Sequence, residues 1–537
     1  MMFQDNLTIQ KEININESKS IISDLKLLIK KDYIFFITVF IAVILIHLLL
    51  WKAFPFHLGP DGIIFLNYFV DMFNKNPLFP MIQTYRTPVA PIFYGLLLKF
   101  GGITLTSIIC ELLSLSCIPM IYLIGYSWGK ISARIITIIF IIMLPFQIQF
   151  HQLSSDALFS WSIIFFFLIF IYAIENLKLK YWIYLGIITA FLILVRPSGI
   201  IFALAVLSLL LIKINWRKTL KLAAMYLLIL CFILSSFIIY KGIRFKDFSL
   251  SRGSNYMEFM RIYTLQEPLL DPNNGPYSKK LVDLVNENLI NSDFYKKYNI
   301  TLEKFLKYRP NRRFFGDIIV LVDRTQGWDS EYELLRKVAI ESILANPLSY
   351  FKNLLKDIIS LSIAEQKIQE VVNVNSLENN LTVNLIKDEN IYEKPTENEL
   401  IPYSKIWWNL SRPDGKIPEK KEFESFDLKL KPLLSKLENQ KSNIIEYSIS
   451  KYFWEKFSIP FWIFWIFGII GIFLNNGSKR IILIAIIVLS FLLIAGTLYS
   501  QPAYLRYRLP LDPLITFAGI IGFLSLFNKK NLIDYTQ

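Results

Sequence analysis

The sequence predicts an all-α polytopic membrane protein, and three observations predict it. Of its 537 residues 54% are apolar, with 44 Phe and 11 Trp, and the mean hydropathy is +0.44. The apolar residues gather into about ten runs, at roughly 33–53, 103–125, 132–149, 157–174, 181–195, 199–212, 219–240, 459–474, 481–499 and 509–527, which read as membrane helices. The cations behind the net charge of +14 sit mainly at the ends of these runs, a topological signal and not a nucleic-acid face. The expected organisation is a segment 1–32, a membrane module 33–240 with its first loop at 54–102, a loop or domain 241–458, helices 459–527 and a tail 528–537.

The first 30 or so residues are polar and show no cleavable signal at the very start, so the run 33–53 is expected to direct insertion. Residues 88–98 are too short to span and read as an interfacial or re-entrant piece. Loop charges orient the helices. Lys130, Arg134, Lys178, Lys180, Lys213, Arg217, Lys218, Lys221, Lys479, Arg480, Lys529 and Lys530 fall on one side; Lys75, Arg86, Lys99, Arg196, Arg506 and Arg508 fall on the other. Twelve cations against six place both termini in the cytoplasm of a cell (inner) membrane protein, with 241–458 outside. Residues 181–212 then form a hairpin with its apex at Arg196-Pro197-Ser198-Gly199, since one long helix would export the cationic loop 213–221. Arms of about 14 residues, or roughly 20 Å, place the apex below the outer surface and make Arg196 an intramembrane cation.

The segment 241–458 is rich in Asn, Lys, Glu and Tyr and long enough for a small domain. Within it 331–363 has helical spacing broken at Asn346-Pro347. Leu348, Phe351, Leu354, Leu355, Ile358 and Ile359 form a stripe suited to a membrane interface. Residues 366–425 are polar and weakly patterned. The three Cys lie in apolar runs without a CxxC or metal pattern, and there are only three His, so neither a disulfide framework nor a His-rich metal site is expected.

Six places carry candidate chemistry. Asp61 follows the first span in Gly59-Pro60-Asp61-Gly62, a good turn that leads into an apolar helix pinned to the membrane; Asp71, further on, is expected on a solvated face. Arg86, between Tyr85 and Thr87-Pro88, suits a headgroup anchor or a phosphate. Arg196 needs an anionic partner if it does not snorkel. His151 and Asp156 open the fourth span, where Ser154, Ser155 and Asp156 make an N-cap; Asp156 is also placed to orient Arg196 or a sugar hydroxyl. Arg506 and Arg508 flank Tyr507 in the last outer loop, an interfacial belt or a phosphate clamp. Glu111 is the main acid within a central span.

In order, the segments PDGIIFLNYFVDMF…YRTPVAPIFYGLLLKFGG, HQLSSDALFSW, LVRPSGIIFALA, AIESILANPLSYF and LRYRLPLDPL resemble the C-type integral-membrane glycosyltransferases that use polyprenyl-phosphate sugars. The likeness is to the branch of aminoarabinose transferases and protein O-mannosyltransferases (family 39-like). The resemblance implies that Asp61 occupies the place of the catalytic acid. It implies that Arg86, Arg196, Arg506 and Arg508 lie near the donor phosphate, with Tyr85, His151 and Asp156 orienting sugar or acceptor. One departure stands out: Gly62 holds the place of the family's usual second acid.

The reading that follows is an inverting transfer from a polyprenyl-phosphate sugar to a hydroxyl of a glycan, lipid or protein acceptor, with Asp61 as general base. No cofactor is expected beyond this co-substrate; membrane lipid is the expected partner and nucleic acid is not. Two rivals are a polysaccharide polymerase using lipid-diphosphate repeats and a lipid or glycan transporter, for which Glu111 is the best foothold.

Overall fold

The structure, a computed structural model, describes residues 30–263, 269–307, 312–326, 332–365, 420–438 and 443–528, less a few positions within them, and three isolated residues before them. The sequence segments 1–32, 366–425 and 528–537 lie largely outside the described residues. The described residues are overwhelmingly helical, with one short parallel strand pair.

Among the described residues six helices are long and apolar enough to cross a membrane: Tyr33–Ala53, Val89–Tyr126, Ser155–Asn176, Trp216–Phe245, Gly477–Ser500 and Leu505–Phe527. Lys130–Ile142 and Leu144–His151 make a seventh, bent by 62° just before Pro145, which has no N–H to continue the ladder. Three shorter apolar helices, Leu179–Val195, Pro197–Leu211 and Trp462–Leu474, account for the rest of the ten runs. The chain is a multi-pass membrane protein.

Residues 88–98 lie in an apolar helical piece that starts at Val89 and is set off from the span after it by a break at Gly102, with φ 63° and ψ −163°, backbone space that only glycine enters readily. One element differs from the sequence reading. The second arm of the hairpin, Pro197–Leu211, winds as a 3-10 helix of 15 residues. Its rise of about 2.0 Å per residue gives this arm about 30 Å, not about 20 Å.

The hairpin itself is settled by one side chain. Tyr226 Oη donates to Thr189 Oγ1 at 3.1 Å and lies 3.3 Å from Phe202 O. In a continuous α-helix residues 189 and 202 would be about 20 Å apart, so the chain reverses between them. Leu179–Val195 ends at Arg196, whose backbone is extended (φ −152°, ψ 123°).

The end of the bundle away from this apex is stapled by buried Asp32, which accepts from Tyr122 Oη at 2.9 Å and pairs with Arg134 and Lys130. At the apex end, residues of 256–350 build a second core around Phe259, Leu281, Ile318 and Val338. The helix Pro347–Ile363 ties it to the bundle: Tyr350 Oη donates to Tyr499 O at 2.7 Å and Trp465 Nε1 to Ser362 O at 3.1 Å. Its apolar residues split into two faces. Ile358 is buried, whereas Leu348, Phe351, Leu355 and Ile359 are exposed.

Candidate functional site

The site begins with the strand pair. β1 (His57–Leu58) runs parallel to β2 (Gln152–Leu153), His57 opposite Gln152 and Leu58 opposite Leu153. Each strand is followed three residues on by an aspartate at the start of a helix, Asp61 before Gly62–Asp71 and Asp156 in the first turn of Ser155–Asn176, and the register puts the two at corresponding positions. Gly59 makes the approach possible, because a Cβ there would lie 2.8 Å from Leu153 O. Tyr94, fully buried, donates to Ser154 O at 2.9 Å and fixes the second turn from below. Ser154 caps the helix Ser155–Asn176 by accepting from the Asp156 N–H.

The Arg-Thr-Pro turn is held against the hairpin apex. Thr87 Oγ1 donates to Val195 O at 3.1 Å, so Arg86 and Arg196 arrive as neighbours of one hydrogen bond. Arg86 Nη2 donates to Asp61 Oδ1 at 2.9 Å. Arg506 Nη1 lies 3.6 Å from the other oxygen, Oδ2. Arg196 Nη1 pairs with Asp156 Oδ1 at 2.5 Å, with its guanidinium 5.6 Å from the Tyr507 ring centroid. Arg506 packs on the same ring at 5.3 Å, so Tyr507 is the spacer between two cations. The structure thus gathers Asp61, Arg86, Asp156, Arg196 and Arg506 from five separate places in the chain.

Three guanidinium groups face two carboxylates here, leaving a surplus positive charge. Burial pushes the Asp61 carboxyl up, but Arg86, Arg506 and Arg196 outweigh it and hold it at about 2. Asp61 is an anion under every ordinary condition. The cations are less well served. Arg86 Nε and Arg506 Nε and Nη1 are shielded from water and have no hydrogen-bond partner among the described residues, although the Arg86 and Arg506 side chains keep 23% and 22% exposure. Buried donors of this kind are costly unless an acceptor reaches them.

Of the remaining sequence candidates, Arg508 and His151 fall elsewhere. Arg508 was expected near the donor phosphate, but it is fully buried and its Nε is 2.9 Å from Asp512 Oδ1; Nη1 donates to Leu361 O at 2.7 Å. Between Arg506 and Arg508 the backbone turns in short 3-10 steps, so these two residues point in different directions. Arg508 ties the last span to the end of Pro347–Ile363. His151 pairs with Glu111 Oε1 at 3.0 Å, and the other oxygen of Glu111 meets His47 Nδ1 at 2.6 Å. That triad joins the first span, Val89–Tyr126 and the turn before β2, and gives His151 a partner other than Asp61. Tyr85, by contrast, borders the cluster: it is buried, its ring lies 5.0 Å from the Arg86 guanidinium on one side and stacks on Tyr256 at 5.1 Å. Asp71 is buried, not solvated, and accepts from Asn74 Nδ2 and the Leu78 N–H, both at 2.8 Å.

Sequence reasoning missed the brace behind Arg86. Buried Lys241 Nζ donates to Thr84 O at 2.9 Å and pairs with Asp247 Oδ2 at 2.7 Å; the Arg252 N–H donates to the same Thr84 carbonyl at 3.2 Å, and Ser251 Oγ to Tyr85 O at 2.6 Å. Burial pushes the Asp247 carboxyl up, but bonds from Lys241 and Ser249 outweigh it and hold it below the usual range. The only available signal was a lysine immediately after the apolar run 219–240.

The chain matches no protein-family model and no curated protein. Among solved structures it is similar to the Archaeoglobus fulgidus oligosaccharyltransferase in the apo form, at 10% identity and a TM-score of 0.39, over 93% of this chain and 51% of that one. The chain spans about half the length of that protein.

Proposed function

We propose that the chain is a membrane glycosyltransferase that moves a sugar from a polyprenyl-phosphate donor to an acceptor hydroxyl on the extracytoplasmic face, with inversion. The observation that supports it best is the guanidinium cluster, with its surplus charge and its shielded N–H groups that lack acceptors. A phosphate supplies both the charge and the oxygens, and guanidinium suits it through paired donors. A carboxylate stands within the same cluster, 2.9 Å from Arg86.

In this mechanism the acceptor O–H gives its proton to Asp61 while its oxygen bonds to the anomeric carbon. The bond from that carbon to the phosphate oxygen breaks, and the electron pair leaves with polyprenyl phosphate. Arg506, Arg86 and Arg196 neutralise the charge that grows on the leaving group. General-base assistance contributes roughly 10²–10⁴-fold. The acceptor is a hydroxyl of a glycan, a lipid or a protein.

Transfer from labelled polyprenyl-phosphate sugars in membranes carrying the chain tests this. Wild type transfers label, and Asp61→Asn and Arg506→Ala do not; undiminished transfer by Asp61→Asn removes the base. A second reading, translocation of a lipid-linked substrate, draws on the Glu111 triad inside the bundle. Movement of substrate in proteoliposomes without sugar transfer would favour it.

A further inference from the structure

Both oxygens of Asp61 face arginine side chains. Oδ1 accepts from Arg86 at 2.9 Å and Oδ2 faces Arg506 at 3.6 Å. A general base needs a free lone pair aimed at the acceptor, and a proton affinity near that of the medium. Asp61, held at about 2 by its three cations, has neither. The two arginine contacts are unequal. Arg86 makes a hydrogen bond, whereas Arg506 is too distant for one and keeps Nε and Nη1 unpartnered. Arg196 is already engaged by Asp156.

We propose that Asp61 stands in for the donor phosphate: until the donor arrives its carboxylate occupies guanidinium groups that the phosphate then takes over, and this exchange is what frees the base. The inference rests on the glycosyltransferase reading and adds an order to it. A phosphodiester carries one negative charge, enough to balance the surplus of three guanidiniums over two carboxylates. Arg506 turns to the phosphate oxygens, which satisfy its shielded N–H groups, and Asp61 Oδ2 is released towards the acceptor. With one cation withdrawn, the proton affinity of Asp61 rises. In the transfer step the acceptor proton passes to Asp61, the new carbon–oxygen bond forms and the old one breaks. The electron pair rests on polyprenyl phosphate beside Arg506. Once that product leaves and Asp61 gives its proton to water, the carboxylate returns to Arg506. The base is therefore available only while donor is bound.

The consequence is opposite in sign for binding and for chemistry. Polyprenyl phosphate without sugar is titrated against wild type, Asp61→Asn and Arg506→Ala in nanodiscs, with sugar transfer measured in parallel. Removing the competing carboxylate tightens binding by Asp61→Asn about tenfold or more, while transfer falls at least about a hundredfold. Arg506→Ala weakens binding. Unchanged or weaker binding by Asp61→Asn overturns the exchange and leaves the glycosyltransferase reading standing. Absence of polyprenyl-phosphate binding by wild type overturns both. Infrared difference spectra of the wild type provide a measurement free of substitution. Polyprenyl phosphate is expected to shift a carboxylate stretching band, and an unperturbed carboxylate region overturns the exchange.

Discussion

Replacing Gly59 by Ala tests whether the strand pair sets the catalytic geometry. The new Cβ would stand 2.8 Å from Leu153 O and 3.1 Å from Ser154 Cβ. Both neighbours are backbone or nearly so, and neither swings aside as the end of a long side chain does. Relief requires β1 and β2 to part by about half an ångström, at an overpacking cost of roughly 1–3 kcal/mol. Because the strands lead directly to Asp61 and Asp156, the displacement falls on the carboxylates themselves. Misplacement of about 1 Å at reacting groups costs about 10²-fold in rate, so half of that predicts a loss of about tenfold. Transfer from a labelled donor and thermal unfolding in detergent measure the two effects. Gly496→Ala is the control, since its Cβ would meet only Ile201 Cδ1 at an ordinary 3.7 Å. If Gly59→Ala matches Gly496→Ala in both stability and transfer, the register argument is wrong.

Four further outcomes follow from the same contacts. Arg508→Ala leaves buried Asp512 without its partner and lowers stability by about 3–5 kcal/mol, read by thermal unfolding, while polyprenyl-phosphate affinity of the folded protein is unchanged. Thr87→Val removes the bond to Val195 O and destabilises by about 1 kcal/mol, with a larger fractional loss of transfer than of stability because the Arg86 turn loosens. The Asp61 carboxyl falls from 3.8 to about 2 on folding, so its ion pairs add stability that is complete above about pH 4 and lost as pH falls towards 2; Asp61→Asn removes roughly 2 kcal/mol of that acid limb. Asp427 behaves in the opposite sense: burial raises it to about 6, so its ionisation lowers stability as pH rises from about 4 through 6, and Asp427→Asn raises the melting temperature at pH 8 but not at pH 4.

The positions of the helices were legible because apolar runs of about twenty residues leave few alternatives, and the run 33–53 coincides with the helix Tyr33–Ala53. The reversal at Arg196-Pro197 was legible from loop charge. Its winding was not, since an unbroken apolar run does not distinguish 3.0 from 3.6 residues per turn. The candidate site was legible as a set of residue types and illegible as a geometry. Nothing local relates Asp61 to Arg506, which lie far apart in sequence and meet at 3.6 Å. Likewise Arg506 and Arg508 flank the same tyrosine, and only the backbone turn decides which one faces Asp61. Asp71 was misplaced because its partners include Asn74 Nδ2 and the Leu78 N–H, which lie across a turn that amphipathic spacing does not reveal. The Lys241 brace escaped notice because a lysine at the end of an apolar run ordinarily marks topology.

The central claim is that Asp61, Arg86, Arg196 and Arg506 form one seat for a lipid-linked phosphate. A cryo-electron microscopy structure of the chain in nanodiscs with polyprenyl phosphate tests it most directly. The account predicts phosphate oxygens within hydrogen-bond distance of Arg506 and of at least one of Arg86 and Arg196, with Asp61 no longer facing Arg506. A headgroup bound elsewhere, or an Asp61–Arg506 pair unchanged beneath it, would contradict the account.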